Sequence, residues 1–138
     1  MAEAESTADI ESTTVNEEEF FASSRVGDFE LSIDAMGEDG PTPNEVLVAD
    51  YASCYSFALR AGAMRNDFDD PGKIQTEAAA NLDEDDDLES IAFTMHLETD
   101  YAEEELDELK QLADEICHVH AAVREGLQAD VDIHADQF

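Results

Sequence analysis

Two cysteines, Cys54 and Cys117, are the residues of this chain best suited to chemistry. A thiolate is a nucleophile and a soft metal ligand, and a pair of thiols is a redox couple. Each cysteine also sits in an apolar stretch at helical spacing, where buried filler is the simpler reading. Cys117-His118-Val119-His120 offers three metal-ligating side chains, with Cys54 as a candidate fourth. On a continuous helix, residues 117, 118 and 120 project in different directions and only 117 and 120 nearly align, so one zinc does not collect all three. Asp83 to Glu89 superficially suggests a calcium loop. It has no glycine at the sixth position, and Thr94 stands where a bidentate glutamate belongs. A solvated hairpin tip is the reading there, and neither a metal nor a cofactor is expected.

The element that must position Cys54 opens at Gly40-Pro-Thr-Pro-Asn-Glu45. Thr42 suits the N-cap, Pro43 the first helical position, and Glu45 completes a capping box. The apolar run Val46, Leu47, Val48, Ala49, Tyr51, Ala52, Phe57, Ala58 and Leu59 predicts a core helix ending between Ala63 and Asn66. Upstream, Phe20 to Ser24 and Phe29 to Asp34 read as strands around the turn Arg25-Val26-Gly27-Asp28. Downstream, Ile74 to Ala78 reads as a weaker strand and Ile91 to Leu97 as a strong half-buried one. Asp100, with Glu103, predicts the cap of a second helix carrying Leu106, Leu109, Ala113, Ile116, His120 and Val123 up to Gly126. Leu127 to Ala135 alternates as a closing strand. The layout is α+β without an internal repeat. Residues 1–14 are expected to be a disordered acidic tail and 15–138 one folded domain.

Charge is the strongest compositional feature, with 37 acidic residues against 6 basic ones and a formal net charge of −31. The apolar fraction of 43% and the clear periodicities oppose disorder of the whole chain. A folded domain under a carpet of carboxylates is the alternative, as in proteins of a very salty cytoplasm. Nucleic acid is excluded as a partner, because six cations cannot neutralise a row of phosphates. An anionic membrane surface repels the chain for the same reason, and no apolar run reaches the length of a membrane span. The first residues lack the basic and apolar regions of a signal peptide, so a cytoplasmic location is expected.

Gly40-Pro-Thr-Pro-Asn-Glu-Val-Leu-Val-Ala-Asp-Tyr-Ala-Ser-Cys54 resembles the signature G-x-x-P-x-E-L-L-x-A-x-x-x-x-C of the OsmC/Ohr proteins, the osmotically induced protein C and organic hydroperoxide resistance families. Ala113-Asp-Glu-Ile-Cys117-His-Val-His120 is similar to the family's late helix, where a cysteine is typically followed by Pro and, two further on, by Ser or His. The resemblance covers roughly residues 15–135. It implies an OsmC-like α+β fold, in which antiparallel sheets wrap central helices in an intertwined homodimer. It also implies a thiol peroxidase with Cys54 as the peroxidatic and Cys117 as the resolving cysteine. Organic hydroperoxide would be the substrate and an external dithiol the reductant.

A thiol attacks an O–O bond only as thiolate, and an apolar helix works against that charge. Cys54 lies about three turns from the helix N-terminus, where the dipole helps little. A cation is therefore needed. Arg25, on a sheet turn, is the expected one, with Glu45 a candidate to hold its guanidinium in a bidentate pair. Arg60 and Lys110 are less well placed on their helices. Tyr51, Tyr55 and Phe57 flank Cys54 and would favour an organic peroxide. The alternative is an OsmC-fold binding or stress-related interaction protein with little peroxidase activity.

Overall fold

The computed structural model describes residues 8–138. The first seven residues of the expected tail lie outside the described residues. The chain forms two compact units, one ending at Val46 and one starting at Leu47.

The first unit is an antiparallel meander of β1 (Ser12–Val15), β2 (Phe21–Val26) and β3 (Phe29–Asp34), in that spatial order. Strand β1 begins before residue 15, where the folded domain was expected to start. Strand β2 runs on through Arg25 and Val26, so the hairpin loop is Gly27-Asp28 alone. Gly27 takes a φ of 60°, which only glycine adopts without cost and which suits a tight two-residue hairpin. Asp34 closes the meander: its carboxylate accepts the backbone N–H groups of Met36 (2.9 Å) and Asp39 (3.0 Å). Those bonds, the one from Asp39 first, hold its pKa below the ordinary aspartate value.

Helix α1 (Pro43–Arg65) starts where the sequence places it. Glu45 N–H donates to Thr42 Oγ1 (3.2 Å) and Thr42 N–H donates to Glu45 Oε1 (2.8 Å), a complete capping box. In the second unit α1 buries one face, Tyr51, Tyr55, Ala58, Leu59, Gly62 and Ala63. The sheet of that unit has the order β4 (Ile74–Leu82), β5 (Leu88–Leu97), β6 (Asp130–His134). Every second residue of central β5 (Ile91, Phe93, Met95, Leu97) enters the core, as the alternation demands. Strands β4 and β5 are antiparallel, but β6 lies parallel to β5. The sheets are antiparallel as expected except for this one pair. The chain reaches β6 through two helices rather than a hairpin, and a long crossover permits the parallel direction.

Helix α2 (Glu103–Ile116) differs from expectation at both ends. It starts two residues past the Asp100 cap, at Ala102, whose N–H is taken by Glu105 Oε1 (2.9 Å). It stops at Cys117, whose φ of −67° and ψ of 113° are extended. The chain then restarts as α3 (His118–Ala122) and a 3₁₀ turn (Glu125–Leu127). Cys117 Sγ caps α3 by accepting the backbone N–H of His120 (3.3 Å). His118 is thus the first residue of a new helix, a position where proline is favoured. The 3₁₀ turn also takes up Leu127, shortening the closing strand that was expected from 127.

Helices α1 and α2 approach closely at Gly62. A Cβ there would stand 2.9 Å from Leu112 Cβ. Leu112 cannot rotate its own Cβ away. Gly62→Val is expected to destabilise the fold by about 2 kcal/mol, the range of overpacked cores. Urea unfolding at high salt measures this, and an unchanged midpoint would refute the close approach.

Candidate active site

Cys54 lies in the middle of α1, half-buried, and Cys117 is fully buried at the α2–α3 break. Both are free thiols, and Cys54 is near enough to Cys117 to help raise its pKa. The structure therefore brings together the two cysteines that lie 63 positions apart in the sequence. Burial pushes the Cys117 thiol up to about 11. The His120 N–H works against this, and the hydrogen bond and negative charge of Cys54 add to it. The Cys117 thiolate is thus disfavoured at neutral pH.

Around the pair is a chain of polar groups that the sequence did not announce. Ala129 N–H donates to Tyr51 Oη (2.9 Å), and the same hydroxyl shares a hydrogen bond with His120 Nδ1 (2.5 Å). The other ring nitrogen, Nε2, faces Asp114 Oδ1 at 4.0 Å. That oxygen accepts the hydroxyl of Tyr55 at 2.7 Å. Both tyrosines are wholly buried, and burial is the main reason that their phenols are held protonated, above the usual tyrosine range. Tyr51 and Tyr55 also pack against Phe93, with ring centroids 4.7 and 5.6 Å apart. They are core residues, and Phe57 points outward with 71% exposure. The expectation that these three aromatics favour an organic peroxide therefore has no support from Tyr51 and Tyr55, whose rings are packed into the core. The apolar run had included Tyr51, and the two-hydroxyl chain is visible only once α1 and α3 are packed.

The other candidates take separate positions. Glu45 is held in the capping box of α1. Arg25 projects from β2 opposite Glu30 in the register, and their charged groups approach to 3.9 Å with both side chains exposed. Arg25 and Glu45 thus each have another partner. Arg60 is committed to the loop after α1, bonding Asp70 Oδ1 (3.0 Å) and the Gly72 carbonyl (2.6 Å). Arg124 donates to the Leu88 carbonyl (2.8 Å), and Lys73 stands over the Phe138 ring (4.4 Å). Among the described residues no three of His, Cys, Asp and Glu converge to hold a metal, Cys117, His118 and His120 included. Asp83 spends its carboxylate on the N–H groups of Asp85 and Asp87, the solvated hairpin tip that the sequence predicts.

This fold, with two thiols at the meeting of α1 and the α2–α3 break, defines a class. The family model described as OsmC-like protein matches residues 36–132, and the chain belongs to that family. An uncharacterised protein of the halophilic archaeon Haloferax volcanii is 50% identical over 131 residues, 95% of this chain and 99% of the relative. Among solved structures, an OsmC-like protein from Mycoplasma pneumoniae superposes with a TM-score of 0.78 at 16% identity, over 94% of this chain and 97% of that one. The organic hydroperoxide resistance protein OhrB of Bacillus subtilis superposes with a TM-score of 0.70 at 20% identity, over 94% and 100%. Among the described residues no helix is long and apolar enough to cross a membrane.

Proposed function

We propose that the protein is a thiol peroxidase that reduces organic hydroperoxides through Cys54 and Cys117. The observation that carries this reading is the nearness of the only two thiols of the chain, one half-buried on α1 and one fully buried, close enough for Cys54 to perturb Cys117. Cys54 thiolate attacks the terminal oxygen of ROOH. The O–O bond breaks, ROH leaves after taking a proton, and Cys54 becomes a sulfenic acid. Cys117 sulfur then attacks Cys54 sulfur. The S–S bond forms, the S–O bond breaks, and the hydroxyl leaves with the thiol proton as water. An external dithiol reopens the disulfide by exchange and is itself oxidised.

The electrostatics favour that order. Cys54 contributes to the high pKa of Cys117 through its hydrogen bond and its charge. Oxidation of Cys54 to a neutral sulfenic acid removes its negative charge, which favours ionisation of the second thiol once the first has reacted. Arg25 is assigned as the activating cation. The long exposed contact of Arg25 with Glu30 is a weak tie that leaves its guanidinium available, whereas Arg60, Arg124 and Lys73 are engaged elsewhere; Arg65 and Lys110 are the remaining cations against which Arg25 is to be compared by substitution. Glu45 is assigned to orienting that arginine, in addition to its cap. The name of the Bacillus subtilis protein of the same fold guides the choice of substrate. The reaction needs a reducing compartment to supply the dithiol, which the cytoplasm provides.

The functional unit is proposed to be a homodimer. Leu47, Phe57 and Met64 on α1, and Phe29 and Leu31 on β3, are left open to solvent in a single chain. Apolar faces of this extent ask for a partner, and a second copy is the one that the family resemblance supplies. Light scattering in high salt is expected to give twice the chain mass at micromolar concentration; a monomer would refute it. Peroxide consumption with a dithiol reductant tests the activity, with the wild type active and Cys54→Ser at the uncatalysed background. A wild type at background would favour a binding protein of the same fold.

A further inference from the structure

We infer that His120, clamped by Tyr51, is a positioning residue that aims the Cys117 thiol at the Cys54 sulfenic acid. The inference rests on the peroxidase reading and deepens it. Cys117 occupies a break between two helices, in extended backbone that neither helix continues. Helix α3 beyond it has five residues, too few to hold itself in place. Two bonds fix the start of that helix on the core. The His120 backbone N–H reaches back to Cys117 Sγ (3.3 Å), and the His120 ring shares a hydrogen bond with the Tyr51 hydroxyl (2.5 Å).

The clamp extends to three elements. Tyr51 is buried on α1, the same helix that carries Cys54. Its oxygen is filled by the N–H of Ala129, at the entrance to β6. The Gln128 side chain adds a bond to the His120 carbonyl (3.0 Å). Asp114 of α2, facing Nε2 at 4.0 Å, takes the Tyr55 hydroxyl and so is itself fixed to α1. The ring of His120 therefore ties the segment after Cys117 to the helix that bears Cys54. Disulfide closure is sensitive to such placement, because the attacking sulfur must approach along the S–O axis within a narrow distance. The balance of the step is unchanged: the sulfenic sulfur is reduced, the Cys117 sulfur is oxidised, and water leaves.

The test separates the two chemical steps. The wild type, His120→Leu, His120→Asn and Tyr51→Phe are each mixed with one equivalent of an organic hydroperoxide. Sulfenic acid is trapped with dimedone over time, and disulfide is followed by mass. All four are expected to form sulfenic acid at the same rate. Closure is expected to slow about tenfold in His120→Leu and Tyr51→Phe, the rate equivalent of one buried hydrogen bond. His120→Asn places an amide oxygen near the former Nδ1 and is expected to recover most of the rate. The double variant with Leu at 120 is expected to be no slower than Tyr51→Phe, in which the Tyr51–His120 bond is already lost. Should His120→Leu not fold, Tyr51→Phe keeps the ring and carries the test. Closure at the wild-type rate in Tyr51→Phe, or an Asn variant as slow as Leu, would overturn the inference. A wild type that forms neither sulfenic acid nor disulfide would instead overturn the peroxidase reading, and this inference with it.

Discussion

Moved from about 2 M to about 0.1 M salt, the protein is expected to lose about 10 °C or more of its unfolding midpoint, about 2–3 kcal/mol for a chain of this size. The formal charge of −31 sits on 138 residues. The arginine ion pairs, Arg25–Glu30 and Arg60–Asp70, engage a small part of it. The hairpin tip Asp83 to Asp87 and the first turn of α2, Glu103, Glu104 and Glu105, concentrate like charges on short segments. In the turn they also gain from the helix dipole, but the repulsion between them is the larger sum once the whole surface is counted. Salt shortens the screening length from about 10 Å at 0.1 M to about 3 Å at 1 M, below the spacing of most of these groups.

Acid is expected to substitute for salt in part. Lowering the pH towards the ordinary carboxylate range near 4 removes the same charges. Asp34 limits this relief. Its folded pKa is depressed, so it contributes stability above its unfolded pKa and loses that contribution as the pH falls through the folded one. Relief by acid is thus expected to reverse below the ordinary aspartate range, where the loop after β3 gives up its anchor. Circular dichroism across salt and pH measures both arms. A midpoint constant between 0.1 M and 2 M salt would show that the acidic surface does not limit stability, contrary to a protein fitted to salty cytoplasm.

The second large effect concerns the thiols. Without reductant, Cys54→Ser is expected to consume no peroxide above background. Cys117→Ser is expected to consume about one equivalent per chain and to stop at the sulfenic acid, because only the second step is lost. In excess peroxide that variant should proceed to the sulfinic acid, which the wild type escapes by closing the disulfide. The asymmetry follows from the geometry. Cys117 is buried and held near pKa 11, whereas Cys54 is half-buried on the open helix. Equal losses in both variants at the first turnover would contradict the assigned order.

Local chemistry made much of this fold legible. Thr42, Pro43 and Glu45 mark the start of α1 to the residue, and the alternation of Ile91, Phe93, Met95 and Leu97 marks the core strand. The Gly27-Asp28 hairpin follows from turn chemistry. The break at Cys117 does not, because the apolar spacing from Leu106 to Val123 continues through it. A sulfur that accepts the cap bond is not among the usual N-cap groups. The family's proline after this cysteine was the hint, since proline favours the first position of a helix. The parallel pairing of β6 was also hidden, because alternation tells which side chains face the core and not which way a strand runs. At the site, both cysteines could be named from sequence, but the Tyr51–His120 bond spans 69 positions and exists only after packing.

The central claim is tested most directly by mapping the thiols after a single turnover. The reduced protein is treated with one equivalent of an organic hydroperoxide in high salt, quenched with an alkylating agent, digested and weighed. The account predicts one cross-linked peptide pair joining Cys54 to Cys117, with the peroxide consumed in step. Both cysteines recovered alkylated, with the peroxide intact, would contradict it.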